Sequence, residues 1–133
     1  MPTEEPAIAE HILALERAAL DRWGKGDVGG YLDLYTDDVT YFDPFTESRV
    51  DGLAAITAWY EPLRGKIKID RDQILDPKVQ ISGDTAVLTF RFVSEGSEGE
   101  TRWNCTEVYR RFGEDWKIVH SHWSFTRREA STV

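Results

Sequence analysis

Gly65 divides the chain into two halves whose apolar residues repeat with different periods. Before it, apolar side chains recur at steps of three and four. After it they alternate at steps of two. The first period belongs to helices and the second to strands. Helices followed by a run of strands predict an α+β domain, with helices packed on one face of a mainly antiparallel sheet.

Local signals set the elements. Thr3 to Trp23 reads as a helix that Thr3 caps, with Glu4, Glu5 and Pro6 in its first turn. Ile8, Ile12, Leu15, Ala19 and Trp23 form its inner stripe, and Gly24 and Gly26 end it. Asp27 caps a shorter helix to about Tyr35, with Tyr31, Leu32 and Tyr35 inward, although Gly29 and Gly30 weaken it. Val39 to Phe42 is a short strand. Asp51 caps a third helix to about Leu63, with Leu53, Ile56, Trp59 and Tyr60 as its stripe. Four strands follow, at about 67–81, 85–95, 100–112 and 115–126, with turns at Gly83-Asp84, Gly96 to Gly99 and Gly113-Glu114. Pro77 makes the first long strand bulged or an edge. The last few residues are expected to fray. With 133 residues and no repeat or linker, the chain reads as one domain, 1–133.

Charge and cysteine content narrow the function. The net charge of -8 argues against nucleic acid and against an anionic membrane surface. No apolar run of about 18 residues spans a bilayer. The first residues, Met-Pro-Thr-Glu-Glu-Pro, do not resemble a secretory signal, and the lone Cys105 fits a reducing compartment. The expected location is cytoplasmic.

The chemistry centres on Asp43, in the run Tyr41-Phe42-Asp43-Pro44-Phe45. A carboxyl group among aromatics is poorly solvated, and poor solvation disfavours its charged form. That is one route to a general base or acid that works near neutral pH. The bland alternative is a turn former. Tyr41, Trp59, Trp103 and Trp123 are candidate walls of a pocket for a flat or apolar ligand, or plain core. Strand alternation puts Trp103, Cys105, Glu107 and Tyr109 on one face. On the last strand it sets Val119, Ser121, Trp123 and Phe125 against Trp116, Ile118, His120 and His122. Both faces of that strand then look apolar, which predicts a homodimer packed through the sheet. His120 and His122 lack an evident third ligand, so no metal is expected, and Cys105 reads as a small buried hydrophobe.

Two stretches resemble the nuclear transport factor 2-like (SnoaL-like) superfamily. One runs from Leu34-Tyr-Thr-Asp-Asp-Val-Thr-Tyr-Phe-Asp-Pro to Asp51-Gly-Leu-Ala-Ala-Ile. The other is Thr106-Glu-Val-Tyr-Arg-Arg-Phe-Gly-Glu-Asp-Trp-Lys-Ile-Val-His-Ser-His-Trp-Ser, which is similar to the calcium/calmodulin-dependent kinase II association domain and its bacterial single-domain relatives. The resemblance implies a cystatin-like cone, with three N-terminal helices on a strongly curved sheet. Ketosteroid isomerase belongs to this superfamily. Its general-base Asp lies in an Asp-Pro step after the first short strand, which Asp43 matches. Its second pocket acid lies six residues before the glycine of the last turn, which Glu107 matches before Gly113. Its oxyanion-hole tyrosine would fall near Ala19, where this chain has no Tyr. The kinase association domain carries pocket arginines where this chain has Glu107 and Trp123.

Two functions remain open on the sequence. One is a small cofactor-independent enzyme of isomerase, cyclase or hydrolase type, in which Asp43 moves a proton on an apolar substrate and protonated Glu107 donates to developing oxyanion charge. The other is a non-catalytic ligand-binding or oligomer-assembly domain like the kinase association domain.

Overall fold

The computed structural model describes residues 4–127. The Thr3 cap and the fraying expected at the C-terminus fall outside that range, the latter from residue 128 onward. Helix α1 spans Glu5–Trp23 and α2 spans Gly29–Leu32, followed by strand β1, Tyr35–Phe42. A two-residue strand β2, Val50–Asp51, leads into α3, Leu53–Tyr60, and a 3-10 turn at Glu61–Leu63. Strands β3 (Arg71–Ser82), β4 (Thr85–Gly96), β5 (Gly99–Phe112) and β6 (Asp115–Phe125) complete the chain. The α+β architecture expected from the change of period is present.

The six strands form one sheet in the order β2-β1-β6-β5-β4-β3. All neighbours are antiparallel except β1 and β6, which run parallel. Their pairing places Tyr41 beside Ser121 and Phe42 beside His122. Pro77 acts as its chemistry requires: β3 is an edge strand, and its register shifts between Leu75 and Lys78.

Several boundaries differ from the expectation for local reasons. The second helix is a single turn, because two glycines resist longer helix there, and Tyr35 already belongs to β1. Asp27 still serves it, accepting the Gly29 N–H at 3.0 Å. At α3 the residue before the first turn is Gly52, with φ +91°, a backbone that glycine adopts without strain. Asp51 lies in β2 instead of capping the helix.

A bulge in β6 removes the argument for a two-faced strand. Val108 pairs with His120, whereas the next residue, Tyr109, pairs with Ile118, so Val119 is the extra residue. The bulge reverses the alternation at that point. Trp116, Ile118 and Ser121 are all buried on the helix side, with Trp123 packed against the same core. His120 and His122 share the outer face with their partners Val108 and Thr106. The sequence placed Trp116 and Ile118 beside the histidines only because a bulge leaves no mark in a period-two count.

The core lies between the helices and the concave sheet face. Ile12, Leu20, Val28, Tyr35, Ile56, Leu88, Tyr109 and Ile118 are fully or nearly fully buried. Each such side chain contributes about 1.5–3 kcal/mol on burial. The Arg17 guanidinium meets Asp72 at 2.7 Å and ties α1 to β3. After α1 the chain is stitched to the segment preceding β3 by Gly65 N–H to the Gly26 carbonyl (2.8 Å) and Ile69 N–H to the Gly24 carbonyl (2.9 Å). This stitch carries Ile67 and Ile69 to the rim of a cavity.

Candidate functional site

Asp43 sits where β1 ends and organises the turn after it. Its Oδ1 accepts the Phe45 and Thr46 N–H groups at 2.8 and 3.1 Å. Its Oδ2 accepts the Tyr41 hydroxyl at 2.8 Å and the Trp59 indole N–H at 3.0 Å. A carboxylate is acceptor-only with about four lone-pair positions, and here four donors fill them. The turn-forming and pocket-lining readings are therefore both true of this one residue, which is half-buried.

The cavity beside it has a volume of about 330 Å³. That is the lower end of the range for small-molecule sites. Helix α1 supplies Leu20 and Trp23, α2 supplies Tyr31, and α3 supplies Tyr60. The sheet supplies Tyr41, Phe92, Ser94, Trp103 and Trp123. The rings pack edge to face: Trp123 meets Phe90, Phe92 and Trp103 at centroid distances of 5.8, 6.1 and 6.0 Å. Such pairs hold ring orientation beyond what buried area alone would do. Phe45, largely exposed, and Leu63, partly exposed, also line it.

Four of the six residues singled out from the sequence, Asp43, Tyr41, Trp103 and Trp123, line this cavity together. Trp59 does not line it; it is partly exposed and reaches the site through its bond to Asp43. Glu107 is also absent from the lining and is fully buried. The expectation that Asp43 and Glu107 share one cavity is thus corrected. Register places Glu107 opposite Ser121, deeper in the sheet than Trp103 and Trp123.

Behind the cavity lies a second acid group centred on Glu16 and Glu107. Both are 0% exposed. Glu16 Oε2 accepts the Tyr31 hydroxyl at 2.5 Å and Oε1 accepts the Tyr109 hydroxyl at 2.7 Å. Among the described residues, neither Glu107 oxygen has a partner in good hydrogen-bond geometry. The Glu16 carboxyl, the Ser121 hydroxyl and the Cys105 thiol nevertheless lie close enough to act on it. A small rotation of the Glu107 carboxyl would engage them. Burial raises both carboxyl pKa values, and that of Glu107 rises well above its ordinary range, with the Glu16 charge as the next cause. Both Glu16 oxygens accept hydroxyl donors, which favours its charged form, whereas Glu107 has no such donor and burial favours its neutral form more strongly.

Glu16, Glu107 and Cys105 each bring one potential ligand atom within 4.8 Å of the others. Both Glu16 oxygens already accept tyrosine hydroxyls, and burial pushes the Cys105 thiol pKa well up. This group suits a proton better than a cation, because metal ligands must be deprotonated. On the outer face, His120 Nδ1 and the Thr40 hydroxyl share a 2.7 Å bond, and the two histidine rings are 6.2 Å apart.

Glu16 was missed in the sequence although a signal was there. It lies four residues after Ile12 and three before Ala19, inside the apolar stripe of α1. A charged residue in that stripe is the informative exception.

A family model described as a SnoaL-like domain matches residues 12–128. The chain belongs to the SnoaL-like domain family. None of the curated proteins matches it. Among solved structures, this SnoaL-like domain is similar to a ketosteroid isomerase candidate from Parabacteroides distasonis. The two share 37% identity, 90% of this chain and 89% of that chain are covered, and the TM-score is 0.82. The CaMKII hub of S. rosetta is 26% identical, with 88% and 95% covered and a TM-score of 0.71. The association domain of C. elegans CaMKII, at 22% identity, 91% and 98% coverage and a TM-score of 0.77, shares the fold. Among the described residues no helix is long and apolar enough to cross a membrane.

Proposed function

We propose that this SnoaL-like domain binds a small, flat and largely apolar molecule in the cone cavity, with Asp43 as the polar anchor that orients it. The observation that carries the reading is a single carboxylate at the edge of a cavity whose wall, Ser94 apart, is made of aromatic and aliphatic side chains. Apolar walls supply affinity, and one placed polar group supplies orientation.

A second reading, general-base catalysis by Asp43, draws on the 37% identity to the ketosteroid isomerase candidate. Two features weigh against it. The four lone-pair positions of Asp43 are filled, so taking a proton would break an existing bond. The second acid of the expected pair is behind the cavity wall. Assembly of several copies in the cytoplasm belongs to the same proposal, supported by the likeness to the hub.

The test is a titration of 15N-labelled protein with 2-naphthalenemethanol, a neutral bicyclic probe, followed by amide chemical shifts. The proposal expects shifts concentrated at Leu20, Trp23, Tyr31, Asp43, Phe92, Trp103 and Trp123. Absence of shifts, or shifts restricted to the outer sheet face, would contradict it.

A further inference from the structure

The charge inventory of the cavity is one-sided. Among the described residues, its lining contains one carboxylate, Asp43, and no Lys, Arg or His. Four of its donors already have partners. Tyr31 gives its hydroxyl proton to Glu16, and Tyr41 gives its own to Asp43. The Trp103 indole points to the Ser94 hydroxyl at 3.3 Å and the Trp123 indole to the Ser121 hydroxyl at 3.1 Å. A carboxylate or phosphate entering here would meet a fixed negative charge and find no cation. Desolvation without a compensating partner is costly for such a group.

A cation meets the opposite situation. Trp23, Tyr31, Tyr60, Trp103 and Trp123 line the same space, and aromatic rings attract ammonium groups. The Asp43 charge is held at the mouth by four donors, so it is positioned before any ligand arrives. Of those donors, the Trp59 indole belongs to a side chain that is 38% exposed. An ammonium N–H can replace that indole at Oδ2 while the backbone bonds to Oδ1 stay in place. The net charge of -8 also favours approach of a cation over an anion.

We infer that the ligand class of this cavity is an aryl or alicyclic ammonium: an apolar body packed against Phe92, Trp103 and Trp123, with a cationic nitrogen at Asp43. The inference rests on the ligand-binding reading above and adds the sign of the ligand's charge. It gives Asp43 an electrostatic role that needs no proton transfer.

The experiment compares three probes of one shape: 2-naphthylmethylammonium, 2-naphthalenemethanol and 2-naphthoate. Binding is measured at pH 7 by calorimetry and by quenching of tryptophan fluorescence. Aliphatic amines of this kind are protonated at that pH. The ammonium is expected to bind the wild-type protein about tenfold or more tightly than the alcohol, and the carboxylate more weakly than either. Raising the salt concentration should weaken the ammonium and leave the alcohol nearly unchanged. Asp43→Asn should bring the ammonium down to the alcohol's affinity. The wild-type comparison decides the matter even if that variant folds poorly. Equal affinity for ammonium and alcohol, or preference for the carboxylate, overturns the inference while the ligand-binding reading stands. If none of the three binds, both fall.

Discussion

Tyr31 and Glu16 are joined by a 2.5 Å hydrogen bond that ties the wall of the cavity to a buried acid behind it. The tyrosine ring faces the cavity and its hydroxyl faces the core. One side chain therefore closes the cavity floor and satisfies half of Glu16. Tyr109, from β5, satisfies the other half. The two hydroxyls explain how α1 tolerates a carboxyl group on its buried stripe.

Tyr31→Phe keeps the ring and removes the donor. It leaves Glu16 Oε2 without its partner in the core, which costs about 1–3 kcal/mol. Urea unfolding monitored by circular dichroism should show that loss, and Tyr109→Phe should show a similar one. A change below about 0.5 kcal/mol in both would mean that the hydroxyls do not support Glu16.

Glu107→Gln tests whether the fold raises the Glu107 pKa. The folded-state pKa of Glu107 is raised above its ordinary 4.5. Its contribution to stability is thus fully present below about pH 4.5 and is lost as pH rises through the raised folded value. Across that window each pH unit costs at most about 1.4 kcal/mol for one proton. The amide cannot ionise, so the stability of the variant relative to wild type should increase as pH rises from 5 to 8. Glu16, also raised, leaves part of the slope in both proteins. Parallel pH profiles would contradict a raised Glu107 pKa.

Gly26→Ala probes the stitch between α1 and the cavity rim. Gly26 has φ +85°, and a Cβ there would lie 2.9 Å from Gly65 Cα. Backbone strain and the clash together should lower stability by about 1–3 kcal/mol. Because Ile67 and Ile69 are carried by that stitch, probe affinity should fall as well. Gly113→Ala is the control: its φ is +63°, but nothing lies within 4 Å of the added Cβ. It should destabilise less and leave affinity unchanged. Thermal melts and a probe titration on both variants provide the check.

The change of period at Gly65 foretold the class of fold, because helix and strand periodicities survive any detail of packing. The role of Pro77 was legible for a similarly local reason, its missing N–H. Asp43, Tyr41, Trp103 and Trp123 were legible as cavity neighbours because a carboxyl group in an aromatic run and tryptophans on one side of an alternating strand stand out in the sequence. The β6 bulge was not legible, since one inserted residue changes every later side of the strand without changing composition. The displacement of Glu107 from the cavity has another cause. Facing the concave side is a matter of parity, but depth along the cone depends on register with β6 and on what α1 places opposite, here Glu16. Strand β2 is two residues long and carries no periodic signal at all.

On the proposed reading the two carboxyl groups have separate roles, Asp43 meeting the ligand and Glu107 staying buried behind the cavity. The most direct test is the dissociation constant of 2-naphthylmethylammonium for wild type, Asp43→Asn and Glu107→Gln at pH 7. Separate roles predict about a tenfold or greater loss of affinity in Asp43→Asn and a change within about twofold in Glu107→Gln. Loss of binding in Glu107→Gln with affinity retained in Asp43→Asn would contradict them.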